Sequence, residues 1–417
     1  MQGVQVAVNA DAMPVCDSLA REIEYLIRAG ATHVDAPNIG SDVLDVIDAF
    51  VARFLALPSE QARHTLVLWC AHTWLMDCWE HTPRLLFTSP EAGCGKTRAL
   101  TVTKHLVPRP DHVADLTPAA LYHSIDEALE LKGGRPTVLF DEFDTVFGTA
   151  EEGKIRNEDM RRLINAGHDR SETVARKMGQ KTKRFQVYSP VALAGKMAVD
   201  DVPATIRTRS IAIPMQRRRP EDNIERWNRH TSAAEAEPLR WLLQCWAELV
   251  HSHAIEFVGL DRPVLPKGIE DRDADVWEPL LAVAELAGGH WPEPARVTAV
   301  TAVTAAGVNA MPSEGMQLLW EIQAIFDRLR IGHISSRQLV KELDDTGEFG
   351  WSKLPAQRAG IKMAKILKGY GVGPVSFRDG TKTFKGYQRY SFADAWLRYP
   401  PPSGDNGDNG DNGGGRR

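Results

Sequence analysis

Cysteine is scarce in this 417-residue chain: Cys16, Cys70, Cys78, Cys94 and Cys245 are five in number, and none stands at the close spacing that zinc sites and redox pairs use. That argues against a disulfide framework or a cysteine-ligated metal as the organising feature, and makes a reducing cytoplasm the expected setting. Residues 1–14 lack the basic segment and apolar run of a signal peptide. Long hydrophobic runs are missing too. The most apolar-looking stretch, Val297 to Val308, is Ala, Val and Thr with a single Gly, too short and too slight to span a bilayer, so no membrane association is expected. Nor is there an excess of basic residues. The net charge of −5 does not speak against nucleic acid, because a basic surface can be hidden in the sum.

What is present is an ordinary core-forming composition, 43% apolar and 25% charged, in a chain long enough for several domains. Residues 1–82 read as a helical region, with Val43, Leu44, Ile47, Phe50, Val51, Phe54 and Leu55 at helical spacing. From residue 83 to 220 short apolar runs alternate with helical stretches: 85–88, 113–116, 138–141, 187–194 and 210–215. That alternation describes an α/β core with a parallel sheet covered on both faces. Residues 221–312 return to helix as a lid or connector, and residues 313–399 form a compact unit of three helices and a hairpin. Residues 400–417, a Pro run followed by Gly-Asp-Asn repeats, cannot build a core and are expected to be a disordered tail.

Within the α/β stretch, an apolar strand runs into Gly93, Cys94, Gly95, Lys96 and Thr97 and then a helix beginning near Arg98. This places free backbone amides at a helix N-terminus, where phosphate oxygens are stabilised. Lys96 would reach the β and γ phosphates of ATP. Thr97 supplies a hydroxyl for Mg2+, and Asp141, at the end of a second apolar strand about 40 residues on, supplies the matching carboxylate. Glu142 is then placed to polarise an attacking water. The loop departs from the P-loop pattern at Pro90, where glycine is usual.

Further stretches resemble known ATPases. Residues 204–215 resemble the segment before the last core strand of AAA+ ATPases, which implies that Arg207 or Arg209 serves as an arginine finger toward a neighbouring subunit; a surface ion pair is the alternative. Lys196 stands about where those proteins carry a polar sensor residue, often Asn, and Arg272 is either a lid arginine or a helix-end ion pair. The helix at 160–168 and the basic run with Arg176, Lys177 and Lys181, turning at Gly179, resemble the DNA-gripping hairpin of superfamily 3 viral helicases; a solvated basic loop is the alternative. Residues 69–399 resemble a family of P-loop ATPases of phages and mobile elements, often found beside primase modules and catalogued as a domain of unknown function. The carrying stretches are TPRLLFTSPEAGCGKT (82–97), LINAGH (163–168), IRTRSI (206–211) and DVWEPL (275–280). What this implies is a role in replication or maintenance of a mobile element, with primase or other replication proteins as possible partners.

The last unit reads as a winged-helix domain. A first helix carries Leu318, Leu319, Ile322, Ile325, Phe326 and Leu329, Ser335 and Ser336 are candidates to cap a second, and a third places Lys362, Lys365 and Lys368 on one side. Strands at 374–378 and 382–392, joined at Asp379-Gly380, supply Arg378, Lys382 and Lys385 to a wing. Residues 358–398 hold nine basic residues against two acidic ones, as a phosphate-binding surface would. A winged helix can also serve as a protein-binding module. The expectation is therefore an AAA+-like P-loop ATPase, oligomeric in a hexamer-type ring, acting as an ATP-dependent DNA motor and replicative helicase. The alternative is an ATP-switched DNA-binding regulator or loader that separates no strands.

Overall fold

The structure, a computed structural model, describes residues 12–29, 38–114, 117–132, 134–147, 154–260, 262–309, 313–345, 355–379 and 382–401. They fall into two compact units divided after Asn309. The expected tail beyond residue 401 lies outside the described residues.

The first unit opens with helices α1 (Ala12–Arg28), α2 (Ile39–Phe54) and α3 (Glu60–His72). Strand β1 (Arg84–Thr88) runs into α4 (Lys96–Leu106), followed by β2 (Pro110–Val113), α5 (Pro118–Lys132), β3 (Thr137–Phe140), α6 (Asp144–Phe147) and α7 (Lys154–Ala166). A hairpin of β4 (Thr173–Met178) and β5 (Lys181–Gln186) precedes β6 (Val191–Gly195), α8 (Ala204–Arg207) and β7 (Ser210–Pro214). Helices α9 (Thr231–Leu260), α10 (Asp271–Ala287) and α11 (Pro292–Asn309) close the unit.

Five strands form one sheet in the order β2-β3-β6-β1-β7, with every neighbouring pair parallel. The α/β class with a parallel sheet, expected from the alternation of apolar runs, is what the chain adopts. Both faces are apolar because both are covered. Leu85, Phe87, Leu139, Ala192, Ala194, Ile211 and Ile213 point into a core shared with α2, α3, α4, α9 and α10, while Leu86, Val138, Phe140 and Leu193 point into a second core with α5, α7 and the base of the hairpin. Helices from before and after the sheet thus share one core. The second strand is Pro110–Val113, beginning three residues before the expected run 113–116, of which residues 115 and 116 lie outside the described residues. It is an edge strand, half-buried throughout, so it needs neither a continuous apolar run nor a backbone N–H at its first position. Among the described residues no helix is long and apolar enough to cross a membrane.

The second unit comprises α12 (Glu314–Leu329), β8 (His333–Ser335), α13 (Ser336–Asp345), α14 (Ala356–Lys368), β9 (Val375–Asp379), β10 (Lys382–Gln388) and α15 (Ala393–Arg398). Ser313 caps α12 by accepting from the Met316 amide at 3.2 Å, and Ser335 does the same at the head of α13 by accepting from Gln338. The three helices bury Leu318, Ile322, Leu339, Leu343, Met363 and Leu367 against Tyr387 of an antiparallel sheet ordered β8-β10-β9. The last strand ends at Gln388, short of the expected residue 392. Arg389–Phe392 instead coil into a 3-10 turn that puts Phe392 into the core. The hairpin's expected Asp379-Gly380 turn includes Gly380, which lies outside the described residues.

Candidate active site

The loop between β1 and α4 turns on two glycines in the left-handed region, Gly93 at φ 75° and Gly95 at φ 83°. At Gly93 an added Cβ would meet nothing within 4 Å, so backbone conformation rather than space demands glycine there. Gly95 caps α4 without a side-chain bond, and its carbonyl accepts from the Ala99 amide at 2.8 Å. The first amides of α4 therefore face the loop. Lys96 Nζ reaches back and donates to the Glu91 carbonyl at 3.0 Å. Thr97 is exposed at the mouth, Arg98 is half-buried and Cys94 is buried.

Strand β3 delivers the acids to the same place. Asp141 follows its last residue, and Asp141 Oδ1 accepts from the Glu142 amide at 3.0 Å. Glu142 has φ 55°, a left-handed conformation rare outside glycine that costs on the order of 1 kcal/mol or more. The next residue is anchored, since the Phe143 amide donates to the Ala194 carbonyl at 3.1 Å. Gly195 at the tip of β6 lies under the Phe143 ring, where a Cβ would come within 2.5 Å. The following Lys196 amide donates to Asp144 Oδ1 at 2.9 Å. These pieces surround an open cavity of about 450 Å³ whose lining includes Gly93, Cys94, Gly95, Lys96, Thr97, Arg98, Asp141, Glu142, Asp144 and Lys196. A nest of amides, a lysine, a hydroxyl and two carboxylates so arranged can hold a polyphosphate and direct a water onto it. Asp144 joins the site without having been singled out from sequence. It follows the acidic pair directly, and nothing in its spacing marks it.

Arg207 and Arg209 are not brought to this cavity. They precede β7, whose Ser210 pairs with Arg84 at the start of β1, whereas the glycine loop follows the end of β1. The strand between puts about 15 Å between them at the rise of an extended chain. Arg207 pairs with Asp200 at 3.0 Å. Arg209 Nη1 donates to the Thr205 carbonyl at 2.8 Å, and burial together with the nearby Arg272 lowers its pKa. Beneath them Arg84 is fully buried. It donates to the Ile164 carbonyl through Nε at 3.0 Å and Nη2 at 2.7 Å, and to the Ser189 carbonyl at 2.7 Å. Burial draws its pKa down to about 9, leaving it charged at neutral pH beside the negative C-terminal end of α7.

The expected basic hairpin is formed by β4 and β5, paired from Thr173↔Gln186 to Met178↔Lys181, with Gly179 at φ 63° in a two-residue turn. Its cations differ. Arg176 lies 3.8 Å from Asp159 of α7 and over the Tyr122 ring of α5, so it packs against the helices, while Lys177 and Lys181 are exposed at the hairpin's tip. In the second unit, Lys365 and Lys368 are exposed on α14, Arg378 and Lys385 are exposed on the strands, and Lys362 is paired with Glu314. The Lys382 side chain lies outside the described residues.

Residues 214–399 match a family described as a protein of unknown function, DUF3631. The matched segment begins at the end of β7, so the glycine loop and the acidic pair precede it. The chain is also similar to an uncharacterized 28.9 kDa protein in the xis 5′ region of Saccharopolyspora erythraea, with 32% identity over 197 residues, covering 45% of this chain and 69% of that protein. At that identity and coverage, the chain belongs to the same family as the Saccharopolyspora protein.

Proposed function

We propose that this chain is a P-loop ATPase of the AAA+ type that works as an ATP-dependent DNA motor of a phage or mobile element, as a replicative helicase. The observation carrying the proposal is the convergence of Lys96, Thr97, Asp141 and Glu142 on one cavity at the C-terminal ends of β1 and β3. That is where ligands bind in parallel α/β sheets. Lys96 would exchange its contact with the Glu91 carbonyl for phosphate oxygens. Thr97 and Asp141 offer only oxygen donors, which suits a hard cation that keeps most of its waters, and Mg2+ there would offset charge on the phosphates. Glu142 would orient and polarise the attacking water.

Three further features support the AAA+ reading. The order β2-β3-β6-β1-β7 sets one strand, β6, between the strand that leads into the glycine loop and the strand that ends at the acidic pair. Arg207 and Arg209 stand at the far end of the sheet, where only a second copy's nucleotide could meet them, as a ring of subunits would arrange. The hairpin tip offers Lys177 and Lys181 to a phosphate backbone. In the second unit the three helices, the small sheet and the exposed lysines of α14 support a winged helix that binds DNA. The relative in the xis 5′ region supports a mobile-element setting.

Turnover measured without DNA, with single-stranded DNA and with duplex tests this reading. A motor is stimulated severalfold by its track. Turnover indifferent to both forms would favour instead an ATP-switched regulator or loader.

A further inference from the structure

A second cavity, of about 390 Å³, adjoins the phosphate cavity and shares Gly93, Cys94, Gly95 and Arg98 with it. Its walls are the end of α2, with Phe54, Leu55 and Ala56, and the segment after β7, with Met215 and Ile224. Met215 abuts the loop, its Cε lying 3.7 Å from where a Cβ on Gly95 would stand. The two walls are tied to each other. The Glu225 amide donates to the Arg53 carbonyl at 2.8 Å, the Arg53 guanidinium grips both Glu225 oxygens at 2.8 Å, and Trp227 packs edge-on against Phe54 at 5.0 Å. The space is therefore preformed, apolar on two sides and of a size suited to a small organic ligand.

Its charged lining is one-sided. Arg98, Arg218 and Arg226 present only donors, and the one carboxylate, Glu225, is held by Arg53. Gln216 alone among the lining side chains offers a neutral acceptor oxygen. A purine's outer edge carries an N7 acceptor in both adenine and guanine, with an acceptor O6 in guanine and a donor N6 in adenine. A guanidinium edge suits N7 of either base and O6 of guanine, and no free carboxylate stands there to select among purine donors.

We infer that this cavity receives the nucleoside of the bound triphosphate and holds the base by apolar contact and guanidinium donors, so that the site takes guanine nucleotides at least comparably to adenine nucleotides. This rests on the reading of the neighbouring cavity as a triphosphate site. It adds a base-tolerant specificity that the phosphate loop by itself does not determine.

The test titrates the full chain with ATP, GTP and inorganic tripolyphosphate in Mg2+, as wild type and as Ala56→Trp, which fills the cavity from the α2 wall. Wild type should bind ATP and GTP within about tenfold of each other, and Ala56→Trp should weaken both by at least about tenfold while leaving tripolyphosphate unchanged. A preference for ATP beyond about tenfold overturns the inference, as does unchanged nucleotide affinity in Ala56→Trp. If Ala56→Trp also loses tripolyphosphate, Ile224→Trp, entering from the opposite wall, is judged by the same criterion, and parallel loss there too overturns the inference. Failure of wild type to bind any of the three ligands would instead remove the triphosphate reading, and this one with it.

Discussion

Arg84, His72 and His168 sit within one buried patch at the start of β1, and their charges set a pH dependence. His72 shares a contact with Thr82 Oγ1 at 3.0 Å, and His168 Nδ1 meets the Thr82 carbonyl at 2.8 Å. Burial pulls their pKa values from 6.5 down to about 4 and about 3, helped at His168 by the Arg84 charge. Both are therefore folded in the neutral form, and the unfolded chain binds more protons below its own pKa. Their stabilisation is full above pH 6.5 and is lost as pH falls from there toward the folded values. The loss should be on the order of 2 kcal/mol per histidine between about pH 6.5 and about pH 5. Denaturation midpoints of the first unit at those two pH values should show it, and His168→Asn, which can keep the contact to Thr82, should show a shallower dependence. Equal slopes in both proteins would contradict the assignment. Gly93, Gly95 and Lys96 were legible in the sequence because their chemistry depends on near neighbours. Arg84 was not: its carbonyl partners lie 80 and 105 residues away, and a lone arginine opening a strand carries no sign of them.

Among the elements, those with a strong local period could be read directly. The helix that carries Leu318 to Leu329 and the hairpin turning at Gly179 both form, since apolar spacing and a positive-φ glycine are local signals. Three-residue β8 went unforeseen, and the 3-10 turn at Arg389–Phe392 was taken into a strand. Both depend on pairing or burial contributed by distant residues. The hairpin also shows a limit of counting basic residues. Lys183 is paired with Asp126 and Arg176 is held against Asp159 and the Tyr122 ring, which leaves Lys177 and Lys181 at the tip, with Arg184 on β5, as exposed cations of the hairpin. In the turnover measurement with and without DNA, changing Lys177 and Lys181 together to Ala should remove most of the stimulation while leaving basal turnover within about twofold, because each surface phosphate contact is a salt-screened ion pair. Equal loss of both rates would show that the hairpin supports the fold instead.

For the whole molecule, the decisive relation is between the two ends of the sheet. The glycine loop occupies one end and Arg207 and Arg209 the other, so in the proposed reading these two arginines would serve the cavity of a second chain. Arg209→Ala should bind nucleotide normally and lose at least about a hundredfold in turnover, and mixing it with a Glu142→Gln protein, itself inactive, should restore part of the rate. A rate that stays at the level of the inactive parents, or normal turnover by Arg209→Ala alone, would remove the intersubunit site. The most direct measurement of the central claim is nucleotide binding and hydrolysis by Lys96→Ala and Glu142→Gln side by side. The account predicts that Lys96→Ala loses binding, whereas Glu142→Gln binds as tightly as wild type but does not turn over; wild-type hydrolysis by Glu142→Gln, or undiminished binding by Lys96→Ala, would contradict it.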